Sequence, residues 1–176
     1  CIATQCNINN CEIAGIQIDS DSKINNCYMN NCATGAIIGG NNSIILDTLI
    51  KNSTRVGIST SGENIIIKSN TVIDSGRHGI FAGLYGSSGS FDSIIQGNIV
   101  KGSNKSDVSI KIAQIAITGD TNNIQNNTCR VCTNTSKADY GIWIVEGNQN
   151  YASNNDLLNS GTLYNFQDEG TGTLTT

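Results

Sequence analysis

Glycine followed by alternating apolar residues recurs along this chain. The instances are Gly15-Ile-Gln-Ile18, Gly35-Ala-Ile-Ile38, Gly57-Ile58, Gly79-Ile-Phe-Ala82 and Gly141-Ile-Trp-Ile144, and Gln114-Ile-Ala-Ile117 fits with Gln in place of Gly. The starts lie 20, 22, 22, 35 and 27 residues apart, a period of about 21 with insertions in two repeats. After each start come an Asn- or Ser-rich turn and a second β-like run, such as Ser43-Ile-Ile-Leu46 and Asn64-Ile-Ile-Ile67. A third short run follows, such as Thr48-Leu-Ile50, Thr71-Val-Ile73 and Asn98-Ile-Val100. Three short strands per period predict a parallel β-helix, an all-β solenoid in which each coil stacks on the last and buries one side chain per inward position.

Six full coils are expected (15–34, 35–56, 57–78, 79–113, 114–140 and 141–161), with a partial coil before them. The solenoid domain is thus 1–161. Residues 162–176 form a C-terminal tail in which Leu163, Tyr164 and Phe166 are expected to cap the open end. The segment Cys6-Asn-Ile-Asn-Asn-Cys11 repeats 21 residues later as Cys27-Tyr-Met-Asn-Asn-Cys32, so Cys is expected over Cys and Asn over Asn.

Composition sharpens this picture. The chain of 176 residues holds 25 Asn and 27 Ile but no Pro. Hairpin folds rely on Asn-Gly or Asp-Gly turns, and neither dipeptide occurs. Asn instead suits left-handed turn positions and stacked side-chain ladders, and a proline inside a coil would remove a ladder donor. The net charge is −4, with basic residues scattered singly, which argues against a nucleic-acid partner. No apolar stretch reaches the ~18 residues that span a bilayer, so no membrane role is expected. The pattern is already running at Cys1, which suggests a piece of a longer protein. In-register parallel neighbours fit disulfide geometry poorly, so the seven cysteines are expected mainly as stacked core thiols, with no metal and no cofactor.

Candidate chemistry gathers on the first strand of each coil. Its middle residue is expected to point outward, giving the column Gln17, Ile37, Ser59, Phe81, Ala116, Trp143. Phe81 and Trp143 would stand two coils apart, about 10 Å, a separation suited to stacking two sugar rings. Insertions at 83–92, 102–113 and 133–140 would wall this strip into a groove, the kind of loop in which function concentrates. On the turn after the strand, Glu63 and Asp120 are expected two coils apart, with Glu146 one coil further and offset by a residue. Such carboxylate separations suit glycosidase chemistry. On the opposite turn stand Arg55, Arg77, His78, Lys105, Lys111, Asp139 and Tyr140. Cations there would neutralise a uronic acid, while His or Tyr would move protons. In the third run, Lys51, Asp74 and Lys101 are expected as a charge ladder of alternating sign.

The Asn-punctuated coils over residues 6–161 resemble the right-handed parallel β-helix family, the pectate-lyase-like fold. That resemblance implies a carbohydrate-active role among polysaccharide lyases, glycoside hydrolases, tailspike depolymerases and non-catalytic adhesins. Arg77-His78-Gly79 resembles the Arg-His-Gly motif of alginate lyases and chondroitinase B, which implies a catalytic role for Arg77. Arg55 stands one coil earlier, where those enzymes carry Lys. The resemblance leads to the expectation of a secreted or virion-surface polysaccharide-binding or polysaccharide-processing protein. The alternative is a shaft or adhesin module whose Phe81 and Trp143 pack on a second chain, for example in a homotrimer, or on neighbouring domains. Catalytic candidates are then Glu63, Arg77, His78, Asp120, Tyr140 and Glu146, and substrate-binding candidates Arg55, Phe81 and Trp143.

Overall fold

The strands are short because each coil must turn three times. In the computed structural model, which describes residues 1–83, 89–104, 111–131 and 137–176, strands fall into three long parallel sheets. The first sheet has seven strands, running from Ala14–Ile18 through Ile80–Ala82, Ala113–Thr118 and Tyr140–Glu146 to Tyr164–Asp168. The second has eight, from Ile2–Thr4 to Leu174–Thr175, and the third six, from Asn7–Asn9 to Thr128–Arg130. A two-stranded pair, Gly62–Glu63 with Ser90–Phe91, widens one turn. The chain is thus an all-β right-handed parallel β-helix.

Alternation selects the core. In most strands of the second and third sheets the middle residue alone is buried, as in Ile44–Leu46 and Leu49–Lys51. Ile24, Ile45, Ile67, Ile95 and Ile124 form one interior column, and Met29, Ile50, Val72, Val100 and Cys129 another. The recurring glycine lets these columns close on the first sheet. A Cβ on Gly57 would lie 2.3 Å from Val72 Cγ1, and one on Gly79 2.1 Å from Val100 Cγ1.

Asparagine has two separate uses. At the turn after the second sheet, Gln5, Asn26, Asp47, Ser69, Asn126 and Asn154 all take left-handed φ values of 47–56°, which Asn and Asp adopt more readily than most residues. One residue on, Asn70, Asn98, Asn127 and Asn155 stack as a ladder. Asn98 is fully buried and accepts from Asn70 N and Nδ2 at 2.9 and 3.1 Å, while its own Nδ2 donates to Ile67 O at 2.9 Å and Asn127 Oδ1 at 3.0 Å. Thr48, Cys27 and Cys6 continue the column toward the N-terminus, with Cys6 N donating to Cys27 Sγ at 3.5 Å. The six described cysteines are free thiols. Burial pushes the Cys27, Cys32 and Cys129 thiols up; Cys132 lies outside the described residues.

Two expectations need correction or extension. The third-sheet register sets Ile73, not Asp74, between Lys51 and Lys101, and Arg130 follows. Asp74 sits in the next turn with φ 57°, so the column is cationic rather than alternating. Beyond Ser160, Tyr164–Asp168 pairs with Tyr140–Glu146, and Leu174–Thr175 with Tyr151–Ser153. These residues carry the coiling onward, with Phe166 packed on the core and Leu163 and Tyr164 exposed.

Candidate functional site

The first-sheet register is the expected one: Gln17, Ile37, Ser59, Phe81, Ala116 and Trp143 pair in succession, and Gln167 continues the column. Their exposure is not as expected. Phe81 is 3% exposed and Trp143 6%, so no open aromatic strip runs along this face. With Ala113, Ala116 and Tyr140 they form a second buried cluster separate from the interior core, flanked by Val56 and Val145. Because this chain covers both rings, they are not available to a second chain either.

His78 and Tyr140 belong to a parallel column on the same face, with Ala113 between them. His78 is fully buried and stacks on Phe81, with centroids 5.2 Å apart and planes at 23°. Its Nδ1 accepts from Ala113 N at 3.0 Å. At the equivalent register position in an earlier coil a backbone carbonyl fills that role, Thr34 N donating to Ile13 O at 2.8 Å. Burial pulls the His78 pKa down to about 4, and the charge of Arg77 adds to the drop. A neutral, enclosed imidazole holding a backbone amide is a structural group.

The outer end of this cluster is open. Tyr164 is 58% exposed and stacks on buried Tyr140, centroids 6.3 Å apart and planes only 4° apart. Tyr140 in turn packs on Trp143 at 5.2 Å. Above the Trp143 ring, 5.4 Å from its centroid, sits Lys111 Nζ, which donates to Glu169 Oε1 at 2.8 Å. The hydrogen bond to Glu169, with a smaller contribution from the Tyr140 hydroxyl, holds the Lys111 ammonium above its ordinary pKa, desolvation opposing. The Trp143 indole N–H is buried with no hydrogen-bond acceptor among the described residues. Tyr140, Trp143, Tyr164, Lys111 and Glu169 therefore place stacking surface, a cation and a carboxylate at one spot.

The remaining candidates lie elsewhere. Arg77 follows Arg55 in its own column, Arg77 N donating to Arg55 O at 2.7 Å, with Asn104 next. It does not join His78 in the aromatic cluster. Glu63 and Asp120 are indeed two coils apart, with Phe91 between them. Asp120, however, accepts from Asn148 N at 2.7 Å. Glu146 is exposed and pairs with Thr118 across a bulge, two residues away from the Asn148 that follows Asp120. Asp139 Oδ2 is occupied by Ile112 N at 2.9 Å. The central parts of the insertions (84–88, 105–110 and 132–136, with Lys105) lie outside the described residues. Among the described residues no group of three His, Cys, Asp or Glu could hold a metal ion, and no helix is long and apolar enough to cross a membrane.

Sequence reasoning missed Glu169 by treating 162–176 as a tail. The signal was present, because Tyr164-Asn-Phe166-Gln-Asp168 repeats the alternation of Tyr140-Gly-Ile142-Trp-Ile144 after 24 residues.

Among solved structures, the chain is similar to full-length tailspike protein 2 from Escherichia coli O157:H7 bacteriophage CAB120, with 15% identity and a TM-score of 0.60. It is also similar to a cysteine-to-alanine mutant of DFA-IIIase from Arthrobacter chlorophenolicus A6, with 13% identity and a TM-score of 0.52. The same enzyme in complex with DFA-III matches at 12% identity and 0.51. The alignments cover 86–96% of this chain but only 22% of the tailspike and 45–47% of the DFA-IIIase chains. No curated protein matches. Residues 1–157 match the family described as the right handed beta helix region, and the chain belongs to that family.

Proposed function

We propose that this chain is a carbohydrate-binding or polysaccharide-processing β-helix acting outside the cell or on a virion surface, with its sugar site around Tyr164, Lys111 and Glu169. The observation that carries this reading is the exposed Tyr164 ring, backed flat by buried Tyr140 and standing beside an ion pair over Trp143. An aromatic face held by a second ring is a pre-ordered platform for the C–H face of a sugar, and it costs little entropy to use. Lys111 and Glu169 supply a donor and an acceptor for hydroxyls at its rim, the usual mixture of apolar surface and a few polar groups in a ligand site. Phe81, His78 and Trp143 support the platform from below. Where chemistry follows binding, of lyase or hydrolase type, the Tyr140 hydroxyl beside Lys111 is the proton-transfer group within reach. Glu63 and Asp120, in earlier coils of the turn that carries Glu169, and Arg55 and Arg77 on the opposite turn take no part in this site, while Glu146 stands one coil before Glu169.

Calorimetric titration with neutral and uronic acid oligosaccharides tests this reading. Wild type is expected to bind at least one class, and Tyr164→Ala to weaken that binding about tenfold while melting like wild type, since the ring is exposed. Binding unchanged in Tyr164→Ala, or no binding by any oligosaccharide, overturns the proposal.

A further inference from the structure

Charge is segregated around the solenoid. The outward residues of the third sheet include the column Asn9, Asn30, Lys51, Ile73, Lys101 and Arg130. It holds three cations and no acid, and the companion column from Asn7 to Thr128 is uncharged. On the turn after the first sheet the pattern reverses, with Asp19, Asp21, Glu63, Asp92, Asp120 and Glu146 and no cation among the described residues. A chain of net charge −4 thus keeps these two outward columns free of acids as far as Arg130, with Asp156 following Thr128 in the next coil.

This arrangement has a cost that a ligand would relieve. Lys101 and Arg130 are direct cross-strand neighbours, and like charges in register destabilise a sheet. Arg130 escapes by turning to the Asp156 carboxylate and to the carbonyls of Cys129 and Asp156. Among the described residues Lys51 and Lys101 pair with no carboxylate, and they stand two coils apart, roughly 10 Å. Beside Lys51 runs a shallow groove of about 480 Å³ lined by Asp47, Leu49, Lys51, Ser69, Thr71 and Ile73. It combines an aliphatic floor with hydroxyls, one cation and one carboxylate, Asp47, the mixture of apolar surface and a few polar groups that a sugar site uses.

We infer that the outer face of the third sheet is a track for an acidic polysaccharide lying along the solenoid axis. Its carboxylate or sulfate groups meet Lys51 and Lys101, and its rings lie over Leu49, Thr71 and Ile73. The inference rests on the carbohydrate reading for the nature of the polymer and on the cation column for its place. The track is distinct from the Tyr164 site on the first sheet.

The test measures binding of polygalacturonate, heparin, neutral dextran and single-stranded DNA to wild type, to a Lys51→Gln/Lys101→Gln variant and to a charge-matched Lys23→Gln/Lys137→Gln variant. Polygalacturonate or heparin is expected to bind, and the better of the two distinguishes carboxylate from sulfate. The first variant should weaken that binding about tenfold and the second should leave it intact. Equal losses in the two variants would mean that net charge, not this face, is read, and would overturn the inference. Dextran or DNA binding as tightly as the acidic glycans would overturn it too. Failure of both acidic glycans to bind wild type, with Tyr164-dependent oligosaccharide binding intact, would sink the track alone.

Discussion

At the scale of single residues, His78 couples the outer cluster to pH. It is neutral in the folded chain because burial holds its pKa at about 4, whereas unfolded it titrates near 6.5. Below pH 6.5 the unfolded state takes up a proton that the folded state refuses, so stability falls as pH drops through 6.5 and the loss levels off near 4. The full difference is about 3 kcal/mol. Urea midpoints measured from pH 7.5 to 4 should fall more steeply for wild type than for His78→Gln. Parallel curves would show that His78 protonates freely in the native state. The same residue shows where sequence reasoning stops. Arg77-His78-Gly79 has the look of a catalytic motif, but whether an imidazole faces substrate or seals a strand depends on what the adjoining insertion covers, and a linear motif does not carry that information. Phe81 and Trp143 follow the same rule: their column was legible, their burial was not.

At the scale of elements, the ladders make neighbouring coils interdependent. Asn98 satisfies groups in the coils before and after it, so Asn98→Ala leaves the Asn70 amide and the Ile67 carbonyl unmatched in the interior. It should cost about 3 kcal/mol, read as a lowered urea midpoint with an unchanged denaturant slope. A loss below half of that would mean that the ladder is ornamental to stability. This level of structure was nearly all visible in the chain, because a period of 21 with Gly, Ile and Asn at set places leaves one way to stack. The slips were single-residue ones at turns. Asp74 aligns with Lys51 by spacing although its left-handed conformation removes it from the strand, and a bulge at Ile117 and Thr118 widens the offset of Glu146 from the acidic column from one residue to two. Glu169 was missed because the last coil lacks the glycine that marks most of the others: Asn165 follows Gly141 in the register.

At the scale of the whole molecule, a repetitive core leaves the outer faces free to differ. The first sheet carries a sealed aromatic layer ending in an exposed tyrosine, the third a cation column, and the turn between the first and second an acidic edge. Function on such a scaffold is set by which face departs from the repeat, and the largest departure lies around Trp143, the sole tryptophan. Its emission reports directly on the proposed sugar site. Titrating the protein with the oligosaccharides that calorimetry identifies, while recording Trp143 fluorescence, is therefore the most direct test. The account predicts blue-shifted emission in the free protein and a saturable change at the calorimetric midpoint, absent in Tyr164→Ala. Oligosaccharide binding that leaves the Trp143 emission untouched would place the sugar on another face and contradict it.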